Sequence, residues 1–304
     1  MTLANQPLDG SGRPFSLKAT GRVARRQALS RISFWFLLAA TMVGLFVLAF
    51  LLYDILANGG ARLLRDFPDF LTSHASRRTA QTGIRAAVLG TVWIIGLTVV
   101  FTIPLGVGTA IWIEEFAPRT RALTIVRLNI SNLAGVPSII YGILGLAVFV
   151  RMMDLGSVIL AGALTLSLMV LPIVIISSAE AIRQVPSSIR DGSLALGATR
   201  WETTWYHVLP GAIPGIMTGT ILAVSRAIGE TAALIMIGAF AFIGVDPESI
   251  FDRFTVLPIQ VYAWTIQPGD DFKAEASAAI IVLMVLVLSL NLIAVLIRNR
   301  FRRD

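Results

Sequence analysis

Six long apolar runs constrain this chain more than any other feature of its sequence. A helix needs about 20 predominantly apolar residues to cross the hydrocarbon layer of a bilayer. Hydrophobic residues make up 56% of the chain and charged residues 14%, whereas soluble domains carry about 25% charged residues. The chain is therefore predicted to be an all-α, polytopic membrane protein. The predicted spans are about 32–56, 86–113, 128–150, 156–179, 211–243 and 275–297.

Charges between the runs predict the side of the membrane on which each loop lies. Six spans place both termini on one side, and the basic residues near both ends assign that side to the cytoplasm, because cytoplasmic segments are enriched in Lys and Arg. Residues 1–31 are predicted to be a cytoplasmic tail, and residues 32–304 the transmembrane domain. Two loops then face inward, 114–127 and 181–210, and three face outward: 57–85, 151–155 and 244–274.

The first outward loop departs from this rule because it is basic. We interpret its arginines as a rim that gathers anions outside the membrane. They are Arg62, Arg65, Arg77, Arg78 and Arg85.

Several function classes are excluded or weakened by what the sequence lacks. With no cysteine, the chain has no disulfide, thiolate metal site or cysteine nucleophile. A P-loop needs Lys directly after Gly and before Ser or Thr, but the only lysines, Lys18 and Lys273, are each followed by alanine. The chain is thus not expected to hydrolyse ATP by that route. Its net charge of +7 lies in loops beside apolar runs rather than in one basic domain, which argues against nucleic-acid binding.

One loop is too polar to cross a bilayer and has a regular pattern. It reads DGSLALGATRWETTWYHVLP from Asp191 to Pro210. Ser188, three residues before Asp191, predicts a capping box that starts a short helix, and Gly197 predicts a left-handed turn that ends it. A second helix should carry Trp201 and Trp205 one turn apart on one face. We call residues 187–210 the knob, and we expect its apolar face to dock on another protein.

The knob also carries a family resemblance. Its spacing resembles that of the EAA loop of ABC-transporter permeases, EAA-x3-G-x9-I-x-L-P. Nine residues separate Gly197 from His207, and one residue separates His207 from Leu209-Pro210. Asp191-Gly192-Ser193 replaces Glu-Ala-Ala, and His207 replaces Ile. Further stretches resemble the A-type permease subunits (the PstA family) of bacterial high-affinity phosphate ABC transporters: NLAGVPSIIYGILGL, SRAIGETAALIMIGA, LPIQVYAW and NLIAVLIRNRFRR.

The resemblance implies a type I ABC importer permease (MetI-like) fold in the bacterial inner membrane. It also implies a second related permease, a dimer of cytoplasmic ATP-binding subunits that bind the ATP, and a periplasmic phosphate-binding protein. This chain would hold no cofactor or metal, and membrane lipid would surround it. The residues implied to couple to the ATPase are Asp191, Gly192, Ser193, Leu194, Ala195, Gly197, Leu209 and Pro210.

Arg226 and Glu230 are the candidate residues of the substrate path. Their spacing places them on one face of the predicted fifth span. A charge at mid-membrane costs about 2.5–3.5 kcal/mol on insertion scales, so such residues usually face a bundle interior or a wet cavity. A guanidinium suits a phosphate oxyanion, and a carboxylate would accept a hydrogen bond from the proton that phosphate retains near neutral pH. The alternative is that Arg226 and Glu230 form a structural ion pair. The phosphate permeases that this chain resembles carry the same Arg-x-x-x-Glu pattern, which favours the substrate path.

Small and neutral polar residues in the spans favour packing over transport. Gly211, Gly215 and Gly219 recur at the spacing that lets helices approach closely. The segment around Gly135-Val136-Pro137 carries Asn132, Ser138 and Tyr141, which could line a path but fit helix packing better.

Three other readings remain open. A permease for another oxyanion, sulfate or molybdate, would lack a use for the Glu230 acceptor. A self-sufficient secondary transporter would show an inverted internal repeat, which we do not detect. A purely structural membrane scaffold would tolerate loss of Arg226.

Overall fold

The computed structural model describes residues 21–76, 78, 81–240, 242–268 and 271–301. Among these residues the secondary structure is helical, apart from one isolated antiparallel bridge between Val158 and Arg253. The helices are α1 (Gly21–Thr72), α2 (Arg85–Ile111), α3 (Arg121–Ala134), α4 (Ser138–Gly145), α5 (Ile159–Arg183), α6 (Ser187–Ala195), α7 (Arg200–Thr203), α8 (Leu209–Ile228), α9 (Ala232–Met236), α10 (Leu257–Thr265) and α11 (Asp271–Phe301). Three π-helical segments extend α2, α4 and α7: Trp112–Phe116, Leu146–Met152 and Thr204–Val208.

The chain divides into two compact units between Asp54 and Ile55. In the first unit the described residues, 21–54, are helical throughout. Of the predicted cytoplasmic tail, 1–31, residues 21–31 are helical, and residues 1–20 lie outside the described residues. In the second unit, α1 has non-helical dihedral angles at Asp66 (φ −138°, ψ 43°), just before Pro68, which cannot donate a backbone hydrogen bond and so favours a kink.

The second unit is built around α2 and α5, which run parallel. The Thr98 hydroxyl contacts the Ala163 carbonyl at 3.4 Å, and further along both helices Gly106 faces Val174. Parallel neighbours require the intervening chain to cross back to the side from which α2 began. The pair α3 and α4 therefore acts as one crossing, and together with five long apolar helices it gives up to six spans among the described residues.

That third crossing is bent by 99°, where the sequence predicted a continuous span at 128–150. Pro137 has no backbone N–H, and it disfavours the helical conformation at Val136. The Tyr141 hydroxyl donates to the Leu133 carbonyl at 2.9 Å, which satisfies one of the carbonyls released by the break. Tyr141 is buried, so packing, the favoured prediction for this residue, is confirmed.

The fifth predicted span, 211–243, is also interrupted. α8 ends at Ile228, and the described residues within 229–256 form a largely non-helical cap, in which α9 is the one helix. The cap packs over one end of α5: the N–H of Ile159 donates to the Asp252 carbonyl at 3.0 Å, and the N–H of Leu160 donates to the Ile250 carbonyl at 2.9 Å. Phe254 of the cap is buried in the central apolar cluster.

Small residues allow α8 to approach α5 closely in the antiparallel sense. Gly215 lies against Ala181, and Gly219 lies against Ser177. A side chain at either glycine would collide with α5, so the predicted packing role of these two glycines is confirmed. Gly211 is less crowded and contacts Val185 at ordinary van der Waals distance.

The helix directions sort the loops into two groups. α11 runs antiparallel to α8, because Ser225 bonds to Asn291 and Thr218 to Arg298. The ends of α2 and α5, the start of α8 and the end of α11 consequently share one end of the bundle with the knob. We call this the knob end. The grouping of loops 114–127 and 181–210 on one side is confirmed; their cytoplasmic position stays a prediction.

Candidate functional site

The knob has the predicted helix–glycine–helix form, but its first helix begins differently. α6 starts at Ser187 after Pro186, and no side chain caps it; the capping box predicted at Ser188 is wrong because Pro186 already sets the turn into the helix. The capping box lies instead at the second helix, where the Thr199 side chain accepts from the N–H of Glu202, whose carboxylate accepts from the N–H of Thr199.

A buried polar contact joins the two knob helices. The hydroxyls of Ser193 and Thr203 lie 2.9 Å apart, and both residues are buried. Buried hydroxyls need a partner, and here each supplies the other. Of the predicted coupling residues, Ser193 thus lies inside the knob rather than on its surface.

The outward surface of the knob is apolar and aromatic. Leu196 at the tip is 90% exposed, and Leu194 is exposed beside it. The rings of Trp201 and Trp205 stack with centroids 5.6 Å apart, as their spacing predicted, and Phe116 at the end of α2 packs on Trp201 at 5.9 Å. An exposed apolar patch of this kind is typical of a protein interaction site. Of the other predicted coupling residues, Asp191, Gly192, Ala195 and Pro210 are exposed, and Leu209 is half-buried.

Gly197 adopts the left-handed conformation that the sequence predicted, with φ +88°. A Cβ at this position would meet open space, so a substitution there is opposed only by backbone strain. An ordinary L-residue in this region costs about 1–2 kcal/mol. Gly197 therefore sets the angle between the two knob helices.

Replacing Gly197 with valine should lower the ATP-coupled uptake of the assembled transporter and reduce recovery of the ATPase subunits with it. Gly197→Asn is the matched control, because asparagine tolerates the left-handed region. Co-purification and uptake should follow the order glycine, asparagine, valine. Equal coupling in the asparagine and valine variants would show that the turn does not control docking.

An arginine that the sequence analysis missed fixes the knob to the bundle. Arg190 of α6 bonds to Glu115 at 2.8 Å and donates to the carbonyls of Ile182 (2.8 Å) and Val185 (2.6 Å). These carbonyls lie at the end of α5, and Glu115 lies in the π-helical extension of α2. Arg190 thus ties the knob to both members of the parallel helix pair.

A second ion network borders the knob. Glu114 is only 10% exposed and accepts from Arg183 at 2.9 Å and from Arg127 at 3.1 Å. Arg183 also pairs with Glu180 at 3.2 Å. The network thus joins the end of α5 to the extension of α2 and to α3.

The two substrate-path candidates do not share a helix face. Arg226 lies in the last turn of α8, whereas Glu230 follows the break at Gly229, where the helix has ended. That part of the prediction is wrong because it assumed a continuous helix. Glu230 is half-buried and accepts a hydrogen bond from the N–H of Ala233 at 3.2 Å, which supports the start of α9.

Arg226 is nevertheless available to a ligand. It is exposed, and it forms neither an ion pair nor a hydrogen bond with any described residue. Among the described residues, Arg226 and Glu230 therefore do not form the structural ion pair that was the alternative. The segment that follows Arg226 packs on the bend of the third crossing, where Ala233 of α9 lies against Gly142.

The basic rim predicted for the first outward loop is largely neutralised. Arg62 pairs with Asp66 at 2.6 Å and with Glu275 at 2.7 Å, and Arg85 pairs with Asp246 at 2.7 Å. The rim interpretation is wrong for these two residues, because acidic partners distant in sequence fold against them. Arg77 lies outside the described residues.

Comparison with known proteins agrees with this architecture. Residues 102–303 match the family described as "Binding-protein-dependent transport system inner membrane component". The chain belongs to this family. It is 34% identical over 261 residues to the "Probable ABC transporter permease protein YqgI" of Bacillus subtilis, covering 81% of this chain and 86% of that protein. It is 29% identical over 278 residues to "Phosphate transport system permease protein PstA 1" of Mycobacterium tuberculosis, covering 90% of each.

The solved structure of another permease has the same fold as this chain. One chain of a bacterial alginate ABC transporter superposes with a TM-score of 0.64 over 89% of this chain and 96% of that chain, at 16% sequence identity. The predicted all-α fold of ABC importer permeases is confirmed. The chain is a multi-pass membrane permease whose relatives are transporter subunits rather than enzymes.

Proposed function

We propose that this permease is the membrane-spanning subunit of an ATP-driven importer that moves inorganic phosphate across the inner membrane into the cytoplasm. The observation that carries the choice of phosphate is the 29% identity, over 90% of both chains, to a relative named as a phosphate transport permease. Relatives named only as ABC transporter permeases match as well, so the choice of phosphate as the substrate is decided by the uptake experiment described below.

The chemistry of the α8–α9 junction supports this substrate. Arg226 offers a planar, doubly donating guanidinium suited to an oxyanion. Glu230 uses one carboxylate oxygen, Oε1, on the N–H of Ala233; Oε2 makes no hydrogen bond to a described residue and can accept a hydrogen bond from the hydroxyl of hydrogen phosphate. Sulfate carries no such proton, and the carboxylate would repel it.

The knob supports the proposed partners. Its exposed Leu196 and stacked tryptophans would seat on a dimer of cytoplasmic ATP-binding subunits, which bind the ATP. A second related permease would complete the transmembrane pathway, and a periplasmic phosphate-binding protein would deliver the anion; the alginate transporter that shares the fold is described in complex with a periplasmic protein. The knob end would face the cytoplasm, and we propose that both termini lie on the cytoplasmic side as well.

In this mechanism ATP binding closes the ATPase dimer and displaces the knob. Arg190 transmits the displacement to α2 and α5 through Glu115 and the carbonyls at the end of α5. The spans then alternate between outward- and inward-facing states, and phosphate passes Arg226 and Glu230. The ATPase can drive the change only because the knob contacts its two states differently.

Phosphate uptake by the assembled transporter, with sulfate and molybdate as competitors, tests the proposal. Radiolabelled phosphate should accumulate only when the ATPase subunits are co-expressed, and excess sulfate should leave uptake unchanged. Strong competition by sulfate would favour a permease for another oxyanion. Uptake by this chain without any ATPase would instead identify a secondary transporter.

A further inference from the structure

The knob end contains a cavity whose lining arginines are only partly neutralised by its acidic residues. The cavity measures about 930 Å³. It lies between the extension of α2, the first turn of α3, the end of α5 and the start of α7. Two glutamates and five arginines line it: Glu114, Glu115, Arg119, Arg121, Arg127, Arg183 and Arg200.

The two acidic side chains are already engaged. Glu114 pairs with Arg127 and Arg183 at 3.1 and 2.9 Å. Glu115 pairs with Arg190 at 2.8 Å. Both carboxylates are about nine-tenths buried, with exposed fractions of 10% and 11%. They form a fixed wall and are not free to swing toward the remaining arginines.

Three arginines of the lining are left without an acidic partner. Arg119, Arg121 and Arg200 are exposed, and none forms an ion pair with a residue that the structure describes. The acid closest in sequence to Arg200 is Glu202, but its carboxylate is held by the N–H and hydroxyl of Thr199, both at 2.8 Å. The cavity thus presents three unpaired guanidinium groups.

We propose that this cavity binds phosphate groups, presented by the headgroup of an anionic phospholipid or by free inorganic phosphate. Guanidinium groups match phosphate oxygens in geometry and charge, and basic pockets between spans at a membrane surface bind anionic headgroups. The volume exceeds that of a single small anion and leaves room for a headgroup with more than one phosphate. The proposal does not depend on which substrate the permease moves.

Occupancy would connect the knob to the rest of the bundle. Arg200 begins the second knob helix, whereas Arg119 and Arg121 lie at the entrance to the bent third crossing. A phosphate group held between them bridges these two parts and opposes their separation. Bound anion should therefore alter ATPase turnover as well as appear in the purified protein.

The test uses the complete transporter with its ATPase subunits. An arginine that a partner subunit covers is then inaccessible to the lipid or anion and does not contribute to the binding that is measured. In one arm the detergent-solubilised complex is equilibrated in mixed micelles containing cardiolipin or phosphatidylcholine, and bound lipid phosphorus is measured after gel filtration. In the other arm radiolabelled inorganic phosphate is titrated in phosphatidylcholine micelles. ATPase rate is recorded in both.

The triple variant Arg119→Ala, Arg121→Ala, Arg200→Ala should weaken cardiolipin or phosphate binding by about a hundred-fold, since each surface arginine contributes about a five-fold gain in affinity. The matched control removes three other arginines, Arg25, Arg26 and Arg31. Loss confined to the cardiolipin arm identifies a lipid site, and loss confined to the free-anion arm identifies a phosphate site. Unchanged binding in both arms, or an equal loss in the control, overturns the proposal.

Discussion

Replacing Arg226 with alanine is expected to reduce phosphate uptake by about ten- to a hundred-fold, the loss that follows from removing a hydrogen bond to a charged group. The complex should still assemble, because Arg226 is exposed and bonds to no described residue. Uptake of radiolabelled phosphate, normalised to the amount of assembled transporter, measures the effect. Arg151→Ala is the control, since Arg151 is another exposed arginine at the end of a π-helical segment. Full uptake by Arg226→Ala would remove this residue from the path.

Glu230→Gln separates the structural and chemical roles of its side chain. The glutamine oxygen can still accept from the N–H of Ala233, the contact that Glu230 makes at 3.2 Å, so the start of α9 is preserved. The negative charge is lost, and competition by sulfate should consequently increase while phosphate uptake falls. Unaltered selectivity in a well-assembled variant would assign Glu230 to helix capping alone.

Replacing Arg190 with alanine should uncouple ATP hydrolysis from uptake. The substitution leaves Glu115 partly buried without its cation and strands two carbonyls at the end of α5. Removing one partner of a fully buried pair costs about 3–5 kcal/mol; because the two side chains are 22% and 11% exposed, we expect about 2 kcal/mol. The ratio of ATP hydrolysed to phosphate transported should rise several-fold.

The double variant Arg190→Met, Glu115→Leu distinguishes loss of coupling from loss of fold. Replacing both charges with apolar groups of similar volume is often neutral or stabilising. The double variant should therefore recover expression and assembly relative to Arg190→Ala, yet remain poorly coupled because the carbonyl contacts of Arg190 are absent. Restored coupling in the double variant would mean that only charge balance mattered at this position.

The parts of the structure that the sequence predicted well depend on local chemistry. The number of apolar crossings, up to six among the described residues, follows from hydropathy, and the knob follows from a glycine whose conformation an L-residue resists. Trp201 and Trp205 stack because a helical turn brings them together, which needs no knowledge of the rest of the fold. The capping box of the second knob helix, Thr199 with Glu202, could have been found in the same way, since its spacing is visible in the sequence.

The errors arose where tertiary packing overrides a local pattern. The apolar run 211–243 predicts a helix that continues through Gly229, but the cap that follows Gly229 makes hydrogen bonds to the start of α5, more than 80 residues away in the sequence. Arg190 and Glu115 lie 75 residues apart, so neither residue alone signals the pair. Helix spacing placed Arg226 and Glu230 together on one face, and the helix ends between them.

The tight packing of the cap against the helices limits the route that the proposed phosphate substrate can take. Where α2, α5, α8 and the cap meet, near Thr91, Leu166 and Val256, the space enclosed is only about 10 Å³, roughly what one water molecule needs. A hydrated oxyanion is far larger and does not fit this space in the conformation described. For the proposed importer we therefore expect the anion to pass along the outer flank of the helices, where a second permease would complete the wall of the path.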